Sequence, residues 1–128
     1  MKQIHSKTAP AAIGPYCHGI ITGNLMFCSG QTPLDPVTMK LVGGDIEAQT
    51  RQVFENISAV LEAAGLTLDA VVKTTVFLRN MADFPKMNGV YQEHFKEHRP
   101  ARSTVEVSGL PMGAMVEMEC IAEVDGSR

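Results

Sequence analysis

The sequence has no apolar run approaching the roughly 20 residues that a membrane-spanning helix needs, no excess of basic charge, and only three cysteines. With 14 acidic side chains against 11 basic ones and a formal net charge of −3, it lacks a positive field for holding nucleic acid through its phosphates. Cys17, Cys28 and Cys120 are scattered and outside any CxxC pair, so neither a disulfide framework nor a metal site is expected. Residues Met1 to His5 carry no apolar run of the signal-peptide kind, and a cytoplasmic protein is the expectation. No repeat, low-complexity tract or linker divides the chain. Its 128 residues, 45% of them hydrophobic, are enough to bury one core, and one domain is expected over 1–128.

What is present reads as strands alternating with helices. Ile20-Ile21 and Leu25 to Ser29 flank Gly23-Asn24, the pattern of a hairpin. Pro33, Pro36, Gly43 and Gly44 mark an irregular connection after it. Ile46, Val53, Ile57, Val60, Leu61 and Ala64 then recur at helical spacing, with Asp45 as a cap and Gly65 as a stop. Val71 to Arg79, rich in β-branched residues, predicts a strand. A second helix is expected from near Asp83, because Pro85 is tolerated in a first turn. It carries Phe84, Met87, Tyr91 and Phe95 on one stripe and ends before Pro100. Ala101 to Val107 and Met115 to Val124 are the last strands. Two helices joining strands require crossovers, hence an α+β fold with a mixed sheet and both helices on one face.

The other face of that sheet is then uncovered. In the last strand Val116, Met118, Cys120, Ala122 and Val124 are apolar and belong under the helices, while Glu117, Glu119 and Glu123 belong on the open side. In the strand before it, Arg102, Thr104 and Glu106 share one face, and Ala101, Ser103, Val105 and Val107 the other. Arg102 is expected to join Glu119 on the uncovered face. Met115 and Ile121 on that face, with small residues near them, make it a surface for packing against other copies.

Arg102 brings a planar fork that grips a carboxylate through two parallel bonds, and Glu119 is a carboxylate that can position and deprotonate a water. The alternative for the pair is a cross-strand ion pair worth no more than ~1 kcal/mol when exposed. Ser29 and Gly30 either end a strand, with Gly30 allowing close backbone approach, or donate hydrogen bonds to a ligand. No His/Asp set accompanies Ser29 to make it a nucleophile. Tyr16, in a stiff Gly14-Pro15 turn, is either core packing or a hydroxyl for a ligand. Asn88, before Gly89, sits in its helix where alanine would suit better.

Three string matches have plainer readings. His94-Phe95-Lys96-Glu97-His98 fits the inverted zinc-protease pattern, but histidine in the last turn of a helix is favoured by the helix dipole alone. Asn56-Ile57-Ser58 is a glycosylation string inside a helix, and Gly43-Gly44 reads as a turn.

The segments "APAAIGPYCHG" (9–19), "CSGQTPLDP" (28–36), "VVKTTVFL" (71–78), "MNGVYQEHF" (87–95), "RPARSTVEVSGLP" (99–111) and "VEMECIA" (116–122) together resemble the RidA group of the Rid (reactive intermediate deaminase, YjgF-type) family. The resemblance runs in order from about Ala9 to Val124. It implies a chorismate-mutase-like α+β fold and a homotrimer with ligand clefts between subunits. It also implies hydrolysis of 2-imino acids, such as 2-iminobutanoate and 2-iminopropanoate, to 2-oxo acids and ammonia. Such imines descend from enamines released by pyridoxal-phosphate dehydratases. Neither cofactor nor metal is implied, and no nucleic-acid or membrane partner.

By the same resemblance Arg102 holds the substrate carboxylate and Glu119 orients water and moves protons, with Tyr16 beside them. Ser29, Gly30, Asn88 and Thr104 line the ligand, some of them from a neighbouring chain. Three departures stand out. Thr104 replaces a common cysteine, His18 replaces a common glutamine, and the segment before Pro100 lacks an aromatic–proline pair. Relatives described as ribonucleases or translation inhibitors offer one rival reading. A carboxylate-sensing regulator or a holdase offers another.

Overall fold

The computed structural model describes residues 1–124. Residues 125–128, which the expected domain includes, lie outside the described residues. In chain order the elements are β1 (Lys2–Ile4), β2 (Gly19–Thr22), β3 (Leu25–Gln31), α1 (Ile46–Glu62), β4 (Val71–Leu78), α2 (Phe84–Phe95), β5 (Ala101–Glu106) and β6 (Val116–Glu123). The strands form one six-stranded sheet in the order β1-β2-β3-β6-β4-β5. Only β4 and β5 pair in parallel, joined by the α2 crossover; every other neighbouring pair is antiparallel. The mixed α+β sheet read from the sequence is therefore present.

Helix α1 forms where the apolar spacing placed it. Asp45 Oδ1 accepts the Ala48 amide at 3.0 Å and satisfies one of the orphan donors of the first turn. Beyond its last turn Gly65 takes a positive φ of 74°, and the Leu66 amide returns to Leu61 O at 3.0 Å. Val53, Phe54, Ile57, Val60 and Leu61 are buried against the sheet and α2, each worth about 1.5–3 kcal/mol in transfer from water. Asn56 of the glycosylation string is buried too. Its Nδ2 donates to Thr32 O and Leu34 O, pinning the irregular connection onto the helix.

Helix α2 buries Met87, Val90, Tyr91 and Phe95. Phe54 of α1 meets it through the rings of Tyr91, His94 and Phe95. The helix stops at Lys96, which adopts φ 58°. His98 therefore lies past the helix end and not in the last turn with His94, as the sequence had implied. The two imidazoles donate to different main-chain carbonyls, His94 Nδ1 to Val90 O and His98 Nε2 to Val71 O.

Both helices lie on the sheet face that carries Met26, Cys28, Thr74, Val76, Met118, Cys120 and Ala122, all buried. The even-numbered residues of β6 point inward, as their alternation required. Among the described residues nothing covers the opposite face, where Phe27 and Val105 remain 45% and 40% exposed. Met115 departs from expectation: it precedes β6 and packs against the helix-side core. Strand β1 was not anticipated either; only Ile4 of its three residues is buried, too short a run to show a period.

Candidate active site

The strand register decides where the two candidate catalytic groups stand. Paired residues of neighbouring strands send their side chains to the same face, and successive residues send them to opposite faces. Thr74 pairs with Arg102 on one side and Cys120 on the other, and Thr74 is fully buried under the helices. Its neighbour Thr75 pairs with Ser103 and with Glu119. Arg102 thus lies on the helix side and Glu119 on the open side. The expectation that they share the uncovered face is wrong for a single chain. The other set of β5, with Ala101 and Val105, faces the open side, because the register beside β4 pairs Ala101 with Lys73 and Val105 with Phe77.

Arg102 is held tightly by α2. Its Nη1 donates to Asn88 Oδ1 at 2.6 Å, and its Cζ lies 4.6 Å from the centre of the Tyr91 ring and 5.3 Å from that of Phe84. Such cation–π contacts fix a guanidinium without neutralising it. Tyr91 is locked in turn by a 2.8 Å hydrogen bond between its hydroxyl and Thr74 Oγ1, and burial pushes its phenol above the ordinary value. Asn88, Tyr91 and Arg102 line a hollow of about 420 Å³. Among the described residues no carboxylate pairs with Arg102; the ion pair found is Arg51 with Glu93 at 3.0 Å. An oriented, uncompensated cation at the rim of a cavity is a ready receptor for an organic anion.

The second group gathers on the open face. Between Cys28, opposite Cys120, and Gln31, opposite Met118, strand β3 carries Ser29 and Gly30 against the single residue Glu119. This is a β-bulge, a device that re-aims side chains. It brings three of the predicted site residues together. A Cβ on Gly30 would collide with Glu117 Oε2, so glycine lets that carboxylate lie across the bulge. Glu117 was not singled out by sequence reasoning, although its alternation with Glu119 already placed the two on one face. Burial, and then the charge of Glu119, push its pKa up.

Ser29 is more committed than the sequence implied. Its hydroxyl donates to Cys17 O at 2.7 Å and its amide to His18 O at 2.9 Å. What it offers outward is therefore the lone pairs of Oγ, not its proton. Tyr16 is half exposed and is not core packing; it lines a shallow hollow together with Ser29. Glu119 lines a separate hollow with Lys73 and Thr75. Thr104 stands with Arg102 on the helix side, where its Oγ1 is buried without a hydrogen-bond partner. His18 is buried and structural: Nδ1 accepts the Ser6 amide at 2.9 Å, and Nε2 donates to Pro10 O at 2.8 Å.

The candidate residues thus divide between the two faces of the sheet: Arg102, Asn88 and Thr104 gather on the helix side, Gly30 and Glu119 lie at the open-side bulge, and Ser29 of that bulge lines a neighbouring hollow with Tyr16. Residues 6–124 match the family model described as Endoribonuclease L-PSP. The chain belongs to this family, the Rid (YjgF) family. A RutC family protein of Pyrococcus horikoshii is 55% identical over 119 residues, covering 93% of this chain and 94% of its own. A protein of Salmonella typhimurium named 2-iminobutanoate/2-iminopropanoate deaminase is 48% identical over 124 residues, covering 94% of this chain and 96% of its own. Among solved structures, the Rid family protein YyfA of Yersinia pestis superposes with a TM-score of 0.93 at 52% identity, over 96% of this chain and 98% of that one. The Rid fold is thus shared along nearly the whole described chain. No helix among the described residues is long and apolar enough to cross a membrane.

Proposed function

We propose that this Rid protein hydrolyses small 2-imino acids to 2-oxo acids and ammonia, in sites assembled between copies of the chain. The carrying observation is Arg102, aimed by Asn88, stacked on Tyr91 and, among the described residues, left without a carboxylate partner. A 2-imino acid supplies that carboxylate and holds its C=N carbon at a fixed distance from it. The naming of the Salmonella relative as a 2-imino acid deaminase supports the reading.

The chemistry asks little of the protein beyond placement. A protonated imine is electrophilic enough for water, so positioning replaces the need for a strong nucleophile. Water adds to the imine carbon as Glu119 takes one of its protons, giving a carbinolamine. Glu119 returns that proton to nitrogen and takes the hydroxyl proton as ammonia leaves, while the C–O bond becomes the carbonyl. One water is consumed and no electrons are exchanged.

Because Arg102 and Glu119 leave opposite faces of one sheet, a cleft that contains both needs two copies. The exposed Phe27 and Val105 of the open face are the kind of surface such copies bury. A cyclic homotrimer closes this heterologous contact with every cleft equivalent. Ammonia release from freshly generated 2-iminobutanoate tests the assignment. Arg102→Ala is expected to lower kcat/KM at least tenfold, since a charge-assisted contact is worth about 1.5–3 kcal/mol; equal rates in variant and wild type would overturn it.

A further inference from the structure

The hollow beside Arg102 holds more positive charge than a single carboxylate requires. Its wall joins Asn88, Gln92, His98, Arg99 and Arg102 to the apolar surfaces of Tyr91, Phe95 and Pro100, and among the described residues no aspartate or glutamate lines it. Arg99 is anchored where α2 ends: its Nη1 donates to Lys96 O and to His98 O, two carbonyls beyond the last helical turn. That fixes one edge of the guanidinium. Its remaining N–H groups make no ion pair among the described residues. Two guanidiniums and two side-chain amides thus surround about 420 Å³ of space, room enough for a small organic acid.

One carboxylate on Arg102 would leave Arg99 unmatched at the same wall. A substrate with an apolar side chain could rest that side chain on Phe95 and Pro100, but it would leave the Arg99 guanidinium and the Gln92 amide with no partner on the ligand. A second anionic group gives Arg99 its partner. We infer that the site takes 2-imino dicarboxylic acids, with Arg102 on the carboxylate beside the imine and Arg99 on the side-chain carboxylate. The inference rests on the imine-hydrolysing reading and names its substrate class.

The test compares ammonia release from freshly generated 2-iminosuccinate and 2-iminobutanoate, by wild type and by Arg99→Gln. Binding of 2-oxoglutarate and 2-oxobutanoate is followed in parallel by calorimetry. Wild type is expected to favour the dicarboxylate in kcat/KM. Arg99→Gln is expected to lower the dicarboxylate-to-monocarboxylate ratio at least tenfold, in turnover and in affinity alike. A ratio unmoved by the substitution overturns the inference and leaves Arg99 as a helix-end cap, whose loss registers in Tm alone. Wild type that releases no ammonia from either imine overturns the deaminase reading instead. In that event the calorimetric ratio still decides whether the two arginines take a dianion.

Discussion

Arg102 and Glu119 stand back to back, the first in register with Thr74 and the second with Thr75, neighbours on one strand. Successive residues of a strand face opposite ways, so no side-chain rotation brings these two groups together within the chain. Any chemistry that uses both has to recruit one of them from another copy.

Mixing two inactive proteins tests this directly. Arg102→Ala and Glu119→Gln are each expected to lack deaminase activity. Unfolded together in equal amounts and refolded, random assembly leaves ~1/4 of the clefts with an intact arginine from one variant and an intact glutamate from the other. Activity near that fraction is expected. A mixture as inactive as its components would mean that both groups act from one chain.

Asn88 positions Arg102 without being charged itself. Removing it by Asn88→Ala breaks a charge-assisted 2.6 Å bond and leaves the guanidinium to the two aromatic rings. A rise in KM of about tenfold is expected, with a smaller change in kcat, because the proposed function gives this contact to substrate binding. Steady-state kinetics at several imine concentrations separate the two effects.

The unpartnered hydroxyl of Thr104 has a cost. Thr104→Val replaces it with a methyl of similar shape, and removal of a buried unsatisfied group is expected to raise stability by about 1 kcal/mol. Urea unfolding is the check: the midpoint should rise while the slope stays the same. A lower midpoint would show that the hydroxyl is satisfied in the assembled protein.

Glu117 gives stability a pH dependence of known sign. Its folded pKa lies above the ordinary 4.5, chiefly through burial and secondarily through Glu119. Between the two values the folded chain holds a proton that the unfolded chain has lost. Its contribution is therefore complete below the unfolded value and is lost as pH rises through the folded one. Glu117→Gln should flatten the fall in Tm across that window, and should be more stable than wild type at neutral pH. Thermal unfolding at a series of pH values reads both effects.

Much of this was legible in one dimension. The three- and four-residue spacing of α1, its Asp45 cap, the inward alternation of β6 and the hairpin at Gly23-Asn24 are local patterns, and all are present in the fold. Gly30 as a point of close approach was legible too, though not the carboxylate that approaches it. Less visible was anything that depends on which residue lies beside which. The bulge opposite Glu119 appears only when β3 and β6 are paired, and the commitment of Ser29 to Cys17 O only when the 16–19 segment is laid against β3.

Composition, periodicity and motif order by themselves fixed the element types, the mixed sheet, the covered face of β6 and the Rid resemblance, because each depends on neighbours a few residues away. The tertiary structure alone decided which side of the sheet Arg102 takes. Alternation fixes parity within β5, but its face is set by how the α2 crossover docks that strand beside β4, an arrangement between segments that no single segment encodes.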